Sequence, residues 1–241
     1  LKIKVMTFNI HHGRGTDGKL DLNRIAQVVK DSEADLIGLN EVDRNFSRRS
    51  DYLDQISWLA EHLQMHWAFG TTLTLRRRSA KPVRKYGNAF LSRYPIISHK
   101  NYPFDFYPAL IEGRALLEIK LEINQTPLKI FVTHLSLTSF LQKKQIDFIV
   151  KKISNETLPV ILVGDCNMKP GSNGWKKIIR YMTDVCQANG KGPYYTFPSF
   201  HPKSQLDYIF VSPDFQVSAV DVIKQKPEAS DHLPLTASLS L

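Results

Sequence analysis

The sequence predicts an α/β fold of the mixed, α+β kind, with sheets packed on each other and helices on their outer faces. Three observations carry this. Strand-like runs outnumber helical ones along the 241 residues. Both hairpin and crossover connections are needed to join them, so the sheets are mixed. The most apolar run, Pro159–Gly164, is continuous rather than alternating, as expected of a strand buried on both faces. No Pro/Gly/Ser-rich linker, low-complexity tract or internal repeat divides the chain, and one domain over residues 1–241 is the economical expectation.

The elements follow in order. Ile3–Ile10 is a β-rich opening run. Asp21 has the character of an N-cap, and Leu22, Ile25, Val28 and Val29 recur behind it at helical spacing, although Arg24 stands where a capping box would have Glu or Gln. Asp35–Val42 is a short apolar strand. Tyr52–Leu63 reads as a second amphipathic helix, with Leu53, Ile56, Leu59 and Leu63 on one side. Strands are expected over 66–75 and 87–102, separated by a basic loop. Ala115–Ile123 and Leu128–Leu135 form a hairpin around the Asn124–Pro127 turn. A third helix spans Ser139–Ile153, burying Ile146, Ile149, Val150 and Ile153 and leaving Lys143, Lys144, Lys151 and Lys152 on a solvated face. A helix near Ser172–Tyr181 follows, and Leu206–Ser212, Gln216–Ile223 and Leu233–Leu241 are strands.

Composition narrows the class. Hydrophobic residues make up 42% and charges are dispersed, so a sizeable core is expected and disorder is not. No apolar run reaches the roughly 18–20 residues that span a bilayer. No signal-peptide pattern follows Leu1, and the compartment of a soluble protein is left open between cytoplasmic and secreted. Lys and Arg exceed Asp and Glu by 32 to 23, a net charge of +9, which favours anionic partners such as nucleic acid, phospholipid headgroups or phosphorylated small molecules. An obligate protein partner is not implied. Cys166 and Cys186 lie in no CxxC pattern and read as free thiols.

The chemistry is signalled by polar residues at strand ends. The first strand closes on Phe8-Asn9 and the second on Asn40-Glu41. A later one ends Thr133-His134, the most apolar run breaks into Asp165-Cys166-Asn167, Asp207 interrupts an apolar strand, and Asp231-His232 precedes the last one. Taken singly, Glu41 reads as an exposed strand terminus, Asp165-Cys166-Asn167 as a turn and His232 as a surface histidine. Asp207 shares a face with Ile209 and Val211, so its carboxylate is buried and needs a partner. Together they suit a hydrolytic site, in which carboxylates bind a hard cation while imidazoles and amides hold phosphate oxygens and shuttle protons. Ser230, Asp231 and His232 do not make a serine-hydrolase triad, because consecutive side chains cannot line up as nucleophile, base and orienter, and no Gly-x-Ser-x-Gly elbow is present.

These residues resemble a known pattern. Thr7-Phe8-Asn9-Ile10, Asn40-Glu41-Val42-Asp43, Gly87-Asn88-Ala89-Phe90-Leu91-Ser92-Arg93, Thr133-His134-Leu135, Gly164-Asp165-Cys166-Asn167, Leu206-Asp207-Tyr208-Ile209 and Ser230-Asp231-His232-Leu233-Pro234 stand in the order found in the endonuclease/exonuclease/phosphatase superfamily. That group includes pancreatic deoxyribonuclease, abasic-site endonucleases, neutral sphingomyelinases and inositol-polyphosphate 5-phosphatases. The resemblance implies a four-layer α/β sandwich, two mixed β-sheets face to face with helices outside, and a metal-dependent hydrolase of phosphate esters. It further implies that Glu41, with Asn9 and Asp231, serves Mg2+, with Mn2+ as the alternative ion. By the same resemblance His134 contacts the scissile phosphate, Asp165 orients or deprotonates the water, Asn167 holds a phosphate oxygen, Asp207 orients His232, and Asn88 belongs with the substrate. The chain departs from the pattern in having Asn40 where Gln is usual, Cys166 where Phe is common, and His11-His12 where some members carry an acid.

For the substrate the sequence is quieter. A zinc reading of His11-His12 is weak, because neighbours on an extended chain point opposite ways, and His11 or His12 is expected to line the substrate site instead. Residues 76–85 hold six bases, including Arg84, and no acid, either clamping a polyanion or forming a solvated loop. Tyr102, Phe104, Phe106, Tyr107, Tyr194, Tyr195, Phe197 and Phe200 are candidates to stack on a base, sugar or headgroup. Three readings stand: an esterase of small or lipid-derived phosphates, acting on diesters or monoesters; a nuclease; and an idle binding module, against which the complete residue set speaks.

Overall fold

The computed structural model describes residues 1–75, 82–105 and 113–241. Arg76, Arg77, Arg78 and Lys81 of the basic run therefore lie outside the described residues, as do Phe106 and Tyr107. The strands are β1 (Lys2–Asn9), β2 (Leu36–Arg44), β3 (His66–Leu75), β4 (Arg84–Ser92), β5 (Ile96–Pro103), β6 (Ala115–Ile123), β7 (Thr126–His134), β8 (Val160–Asp165), β9 (Thr183–Asp184), β10 (Asp207–Val211), β11 (Gln216–Val222) and β12 (Leu235–Ser240). They form two six-stranded sheets, ordered β11-β12-β1-β2-β4-β3 and β5-β6-β7-β8-β10-β9. The β1–β2 and β7–β8 pairs are parallel and their neighbours antiparallel, so both sheets are mixed.

Three apolar clusters make the layers. Ile3, Val5, Leu36, Phe90, Ile130, Val132, Ile161, Val163, Ile209, Val211 and Leu239 fill the space between the sheets. Met6, Phe8, Ile37 and Leu39, on the opposite face of the first sheet, pack under α1 (Leu22–Ser32) and α2 (Gln55–Leu63). Phe131, Leu162, Tyr208 and Phe210 pack under α3 (Ser139–Ser154) and α4 (Asn173–Ile178). The result is the α/β sandwich, helices outside and sheets inside. The sheets approach closely at Gly38, where a Cβ would lie 2.3 Å from Val163 Cγ2.

Local chemistry explains the boundaries. Asp21 caps α1 by accepting from the backbone N–H of Asn23 and Arg24, and its carboxylate meets the Arg24 guanidinium at 3.2 Å. The expected helix 52–63 starts three positions later, at Gln55. Asp51 and Tyr52 have left-handed φ, Asp54 is the cap that accepts from Ser57, and Leu53 is exposed rather than on the buried side. The expected strand 87–102 is two strands in different sheets. Pro95 lacks the N–H a ladder needs, so the chain leaves the first sheet after Ser92 and enters the second at Ile96. The β6–β7 hairpin is tighter than expected: Ile123 pairs with Thr126, leaving Asn124 and Gln125 at positive φ, the geometry of a two-residue type I′ turn. Of the lysines on α3, Lys152 is not simply solvated, since its ammonium lies 3.8 Å above the Tyr102 ring. The short β9 and the helix α5 (Val185–Asn189) that follows it have no counterpart in the sequence reading. Both cysteines are free and buried.

Candidate active site

The pleat decides where the polar residues go. Side chains alternate faces along a strand, and the inward rows run Val5, Thr7, Asn9 on β1; Leu36, Gly38, Asn40 on β2; Ile130, Val132, His134 on β7; and Ile161, Val163, Asp165 on β8. On β10 the row enters at Asp207 and continues through Ile209 and Val211. Thr7 apart, each row is apolar or glycine until its terminal position at one end of the sandwich. Ladder register sets those positions side by side: Asn9 with Asn40, His134 with Asp165, and Asp207 with Asp165. The site is the polar end layer of the inter-sheet core.

Asp165 is its centre. One carboxylate oxygen, Oδ2, lies 3.3 Å from His134 Nε2, 3.7 Å from His232 Nε2 and 3.2 Å from the Asn9 amide nitrogen that donates to it. The same Asn9 nitrogen donates to Glu41 Oε1 at 3.2 Å, so one amide bridges the two carboxylates. Burial, and then the neighbouring Asp207 charge, push the Asp165 carboxyl up to about 7; His232, the Asn167 N–H and Asn9 oppose this without cancelling it.

The two histidines are held in opposite states. His232 Nδ1 donates to Asp207 Oδ2 at 2.8 Å. Burial alone would favour the neutral ring, but the charges of Asp207, Asp165 and Asp231 prevail and raise His232 to about 10. Phe197 leans on the ring with centroids 4.8 Å apart. His134 is buried against Arg114, whose Nη1 lies 2.6 Å from His134 Nδ1. A guanidinium has only N–H groups to offer, so Nδ1 is the acceptor and the proton sits on Nε2, aimed at Asp165. Burial, then the Arg114 charge, hold His134 well below the usual imidazole range. The sequence reading missed Arg114. Its signal was a lone arginine at the mouth of an apolar strand, which burial alone makes meaningful.

Glu41 is aimed by a β-bulge. The β2–β4 register shifts between Leu39 and Val42, and Glu41 itself takes φ 60°, a left-handed conformation uncommon outside glycine. Its carboxylate is partly open to solvent. Burial would raise it, but the adjacent His12 imidazole, the facing His134 and the Asn9 amide hold it below the usual carboxylate range. Asn40, the departure from the expected Gln, donates to Asn88 Oδ1 (2.9 Å) and the Thr133 carbonyl (2.8 Å) and accepts from Asp165 N–H (2.8 Å). It bolts the two sheets together under the site.

The other predicted residues are placed as follows. Asn167, at φ 46°, donates one amide N–H to the Leu135 carbonyl at 2.9 Å, and that side chain is half-buried at the site. Asn88 is fully buried, with its carbonyl on Asn40 and its amide on the Ala115 carbonyl at 3.0 Å, which makes it a brace beneath the site rather than a group facing substrate. Asp231 accepts from Ser230 Oγ at 3.3 Å and lies 4.0 Å from His11 Nδ1 at the site's edge. His11 Nδ1 donates to the Arg14 carbonyl at 3.1 Å. Arg84 donates to the Phe46 carbonyl and lies 5.5 Å above the Tyr52 ring, off to the rim. Of the aromatic candidates, Tyr102 and Phe104 pack with Phe148 away from the site, Tyr194 is buried, and Tyr195 and Phe200 are exposed.

His11 and His12 do not lie on an extended chain. The chain there is a 3-10 turn, with φ 45° and 46° at the two residues, and the rings come within 4.3 Å of each other. His12 Nδ1 is buried, has no hydrogen-bond partner among the described residues, and lies 3.7 Å from Glu41 Oε2. An ionised, partly open carboxylate with an amide and an unengaged imidazole nitrogen beside it is a donor set that fits a divalent cation. Asp165, Asp207 and His232 also bring donor atoms within 4.8 Å of one another and could hold an ion in place of the His232 proton.

Comparison with known proteins agrees with this geometry. The family model described as "Endonuclease/Exonuclease/phosphatase family" matches residues 6–232. The chain is similar to the uncharacterized protein YbhP of Escherichia coli K12, 26% identical over 99% of this chain and 96% of that protein. Among solved structures it is similar to an endonuclease/exonuclease/phosphatase from Beutenbergia cavernae DSM 12333 (TM-score 0.81, 26% identity, covering 100% of this chain and 72% of that one). It shares its fold with the mannosyl-6-phosphatase of Bacteroides thetaiotaomicron VPI-5482 (TM-score 0.80, 17% identity, covering 99% and 100%).

Proposed function

The chain belongs to the endonuclease/exonuclease/phosphatase family, and from that premise we propose that it is a metal-dependent hydrolase of phosphate esters, acting on a small or lipid-derived phosphate by in-line attack of water. One observation carries this reading: Asp165 Oδ2 stands within 3.3 and 3.7 Å of two imidazole nitrogens, one ring bonded to Asp207 and the other to Arg114. Asp165, poised near neutrality, takes the proton of the attacking water. The water oxygen bonds to phosphorus as the ester oxygen departs. Protonated His232 and the Nε2–H of His134 face the charge that builds on the phosphoryl oxygens, and the Asn167 amide fixes one of them. A divalent cation, Mg2+ or Mn2+, held by Glu41 and Asn9 with Asp231 at the edge, would supply further positive charge to the phosphoryl and leaving oxygens.

The rim supports an amphiphilic substrate over a bare polyanion. Leu137, three residues beyond His134, is 77% exposed, and Phe200, beside the segment hydrogen-bonded to Asp231, is 55% exposed. Among the described residues, Arg49 is engaged with Asp43 and Arg84 with the Phe46 carbonyl. The nuclease reading keeps the net charge of +9 in its favour.

The test is hydrolysis of bis-p-nitrophenyl and p-nitrophenyl phosphate with Mg2+, Mn2+ or EDTA, beside His232→Ala. Release that needs both the metal and His232 supports the proposal, and release unaffected by EDTA and by His232→Ala sinks it. Plasmid, single-stranded and abasic DNA, and mixed phospholipid vesicles assayed for headgroup release, then separate the nuclease from the lipid reading.

A further inference from the structure

The 3-10 turn after β1 holds a group that the reaction above does not use. His11 and His12 are consecutive non-glycine residues at positive φ, a conformation that side chains rarely adopt and that persists only where the surroundings impose it. Here they do. The fully buried Gln55 side chain donates to the His12 carbonyl at 2.6 Å, and the His11 N–H donates to Asn9 Oδ1 at 3.1 Å. A Cβ at the next residue, Gly13, would stand 2.7 Å from Leu22 Cδ2 and 3.0 Å from Gln55 Nε2, so the turn fits closely against α1 and α2. That fit delivers His12 Nδ1, buried and without a hydrogen-bond partner among the described residues, to 3.7 Å from Glu41 Oε2.

The His12–Glu41 pair stands at ion-pair distance but does not close to a hydrogen bond. In the same site His232 Nδ1 and Asp207 Oδ2 close to 2.8 Å, a strong hydrogen bond. The His12–Glu41 separation is beyond hydrogen-bond reach. Two donor atoms that share one ion, each about 2.1 Å from it, stand about 3.0–3.5 Å apart, which a small adjustment of the Glu41 side chain would reach.

We propose that His12 is a nitrogen ligand of the cation held by Glu41, and that the centre therefore prefers a first-row transition ion to Mg2+. The inference rests on the metal-dependent reading above. Mg2+ favours oxygen donors and sheds water reluctantly, whereas imidazole suits the borderline ions and discriminates increasingly along the first row. The turn, held at positive φ by Gln55 and Asn9, places the ring before the ion arrives.

Pulsed electron paramagnetic resonance of the full chain loaded with Mn2+ tests this directly. A directly bound nitrogen modulates the echo, and the modulation is lost in His12→Asn. Calorimetric titration gives the second readout: His12→Asn weakens Co2+ and Mn2+ binding by roughly 10–100-fold and Mg2+ binding by less than about 3-fold. Bound Mn2+ without nitrogen modulation in the unaltered protein overturns the proposal without any variant having to fold. Modulation that survives His12→Asn and disappears in His232→Asn places the ion on the Asp165–Asp207–His232 group and overturns it equally. Hydrolysis of bis-p-nitrophenyl phosphate assayed in parallel separates the two readings. EDTA-sensitive turnover without nitrogen coupling removes only the role of His12, and metal-independent turnover removes both.

Discussion

The side-chain carbonyl of Asn40 accepts the backbone N–H of Asp165 at 2.8 Å, across the gap between the two sheets. With its amide on Asn88 and on the Thr133 carbonyl, this single residue sets the height of Asp165 relative to Glu41, its own neighbour in sequence. Asn40→Ala leaves buried partners unpaired on both sheets. The expected loss is on the order of 3 kcal/mol in urea unfolding, with kcat falling more than KM rises. An unchanged urea midpoint would contradict the bracket.

The pH profile has a defined shape. Asp165 must be ionised to accept a proton and its carboxyl sits at about 7; His232 must be protonated and sits at about 10. kcat/KM is expected to rise through about pH 7 and fall through about pH 10. Both groups bind their proton more tightly folded than unfolded. Their contributions to stability are therefore present at low pH, and are lost as pH rises from about 4 to 7 for Asp165 and from about 6.5 to 10 for His232. A flat profile from pH 6 to 10, measured on the metal-loaded protein, rejects these roles.

Asp207→Asn removes the charge that holds the His232 proton. The alkaline limb is expected to move toward neutrality and kcat to fall by about 10²–10⁴. If kcat falls while the limb stays at its original pH, Asp207 acts on something other than the imidazole.

Arg114→Met leaves His134 Nδ1 without its donor. Nitrogen-15 spectra of the histidine rings are expected to show His134 as a neutral Nε2–H tautomer in the unaltered protein and as a mixture in the variant. A protonated His134 at pH 7 in the unaltered protein would be inconsistent with the Arg114 contact.

Gly164 has φ 145°, and a Cβ there would sit 1.9 Å from the Thr133 carbonyl oxygen. Gly164→Ala is expected to cost several kcal/mol or to prevent folding, read by calorimetry or by loss of soluble protein. Wild-type thermal stability in this variant would mean that the β7–β8 approach is looser than described.

Much of this was legible in the sequence for a physical reason. Apolar runs that end in Asn, His or Asp announce both a strand and the point where the core stops, so Asn9, His134, Asp165 and Asp207 could be placed before any coordinates. What escaped was set by tertiary contact. Periodicity cannot show that Tyr94-Pro95 hands the chain from one sheet to the other. Asn40 read as a departure from a pattern because its worth lies in partners 48, 93 and 125 residues away. Arg114 gains meaning only from the burial of His134, and the His11–His12 turn from Gln55, which closes on it from another helix.

The pleated rows that end in the reactive groups have a thermal consequence. Asn9, His134, Asp165 and Asp207 belong to paired strands of the inter-sheet core, so they have no melting transition of their own. Heat should displace these four only when the whole sandwich comes apart, whereas His232 and Asn167 stand on connections, one against Phe197 and the other on the Leu135 carbonyl, and can leave their places earlier. Inactivation would then precede global unfolding on heating, and changes on the Phe200 connection would reach the reactive set through Phe197 and Asp231.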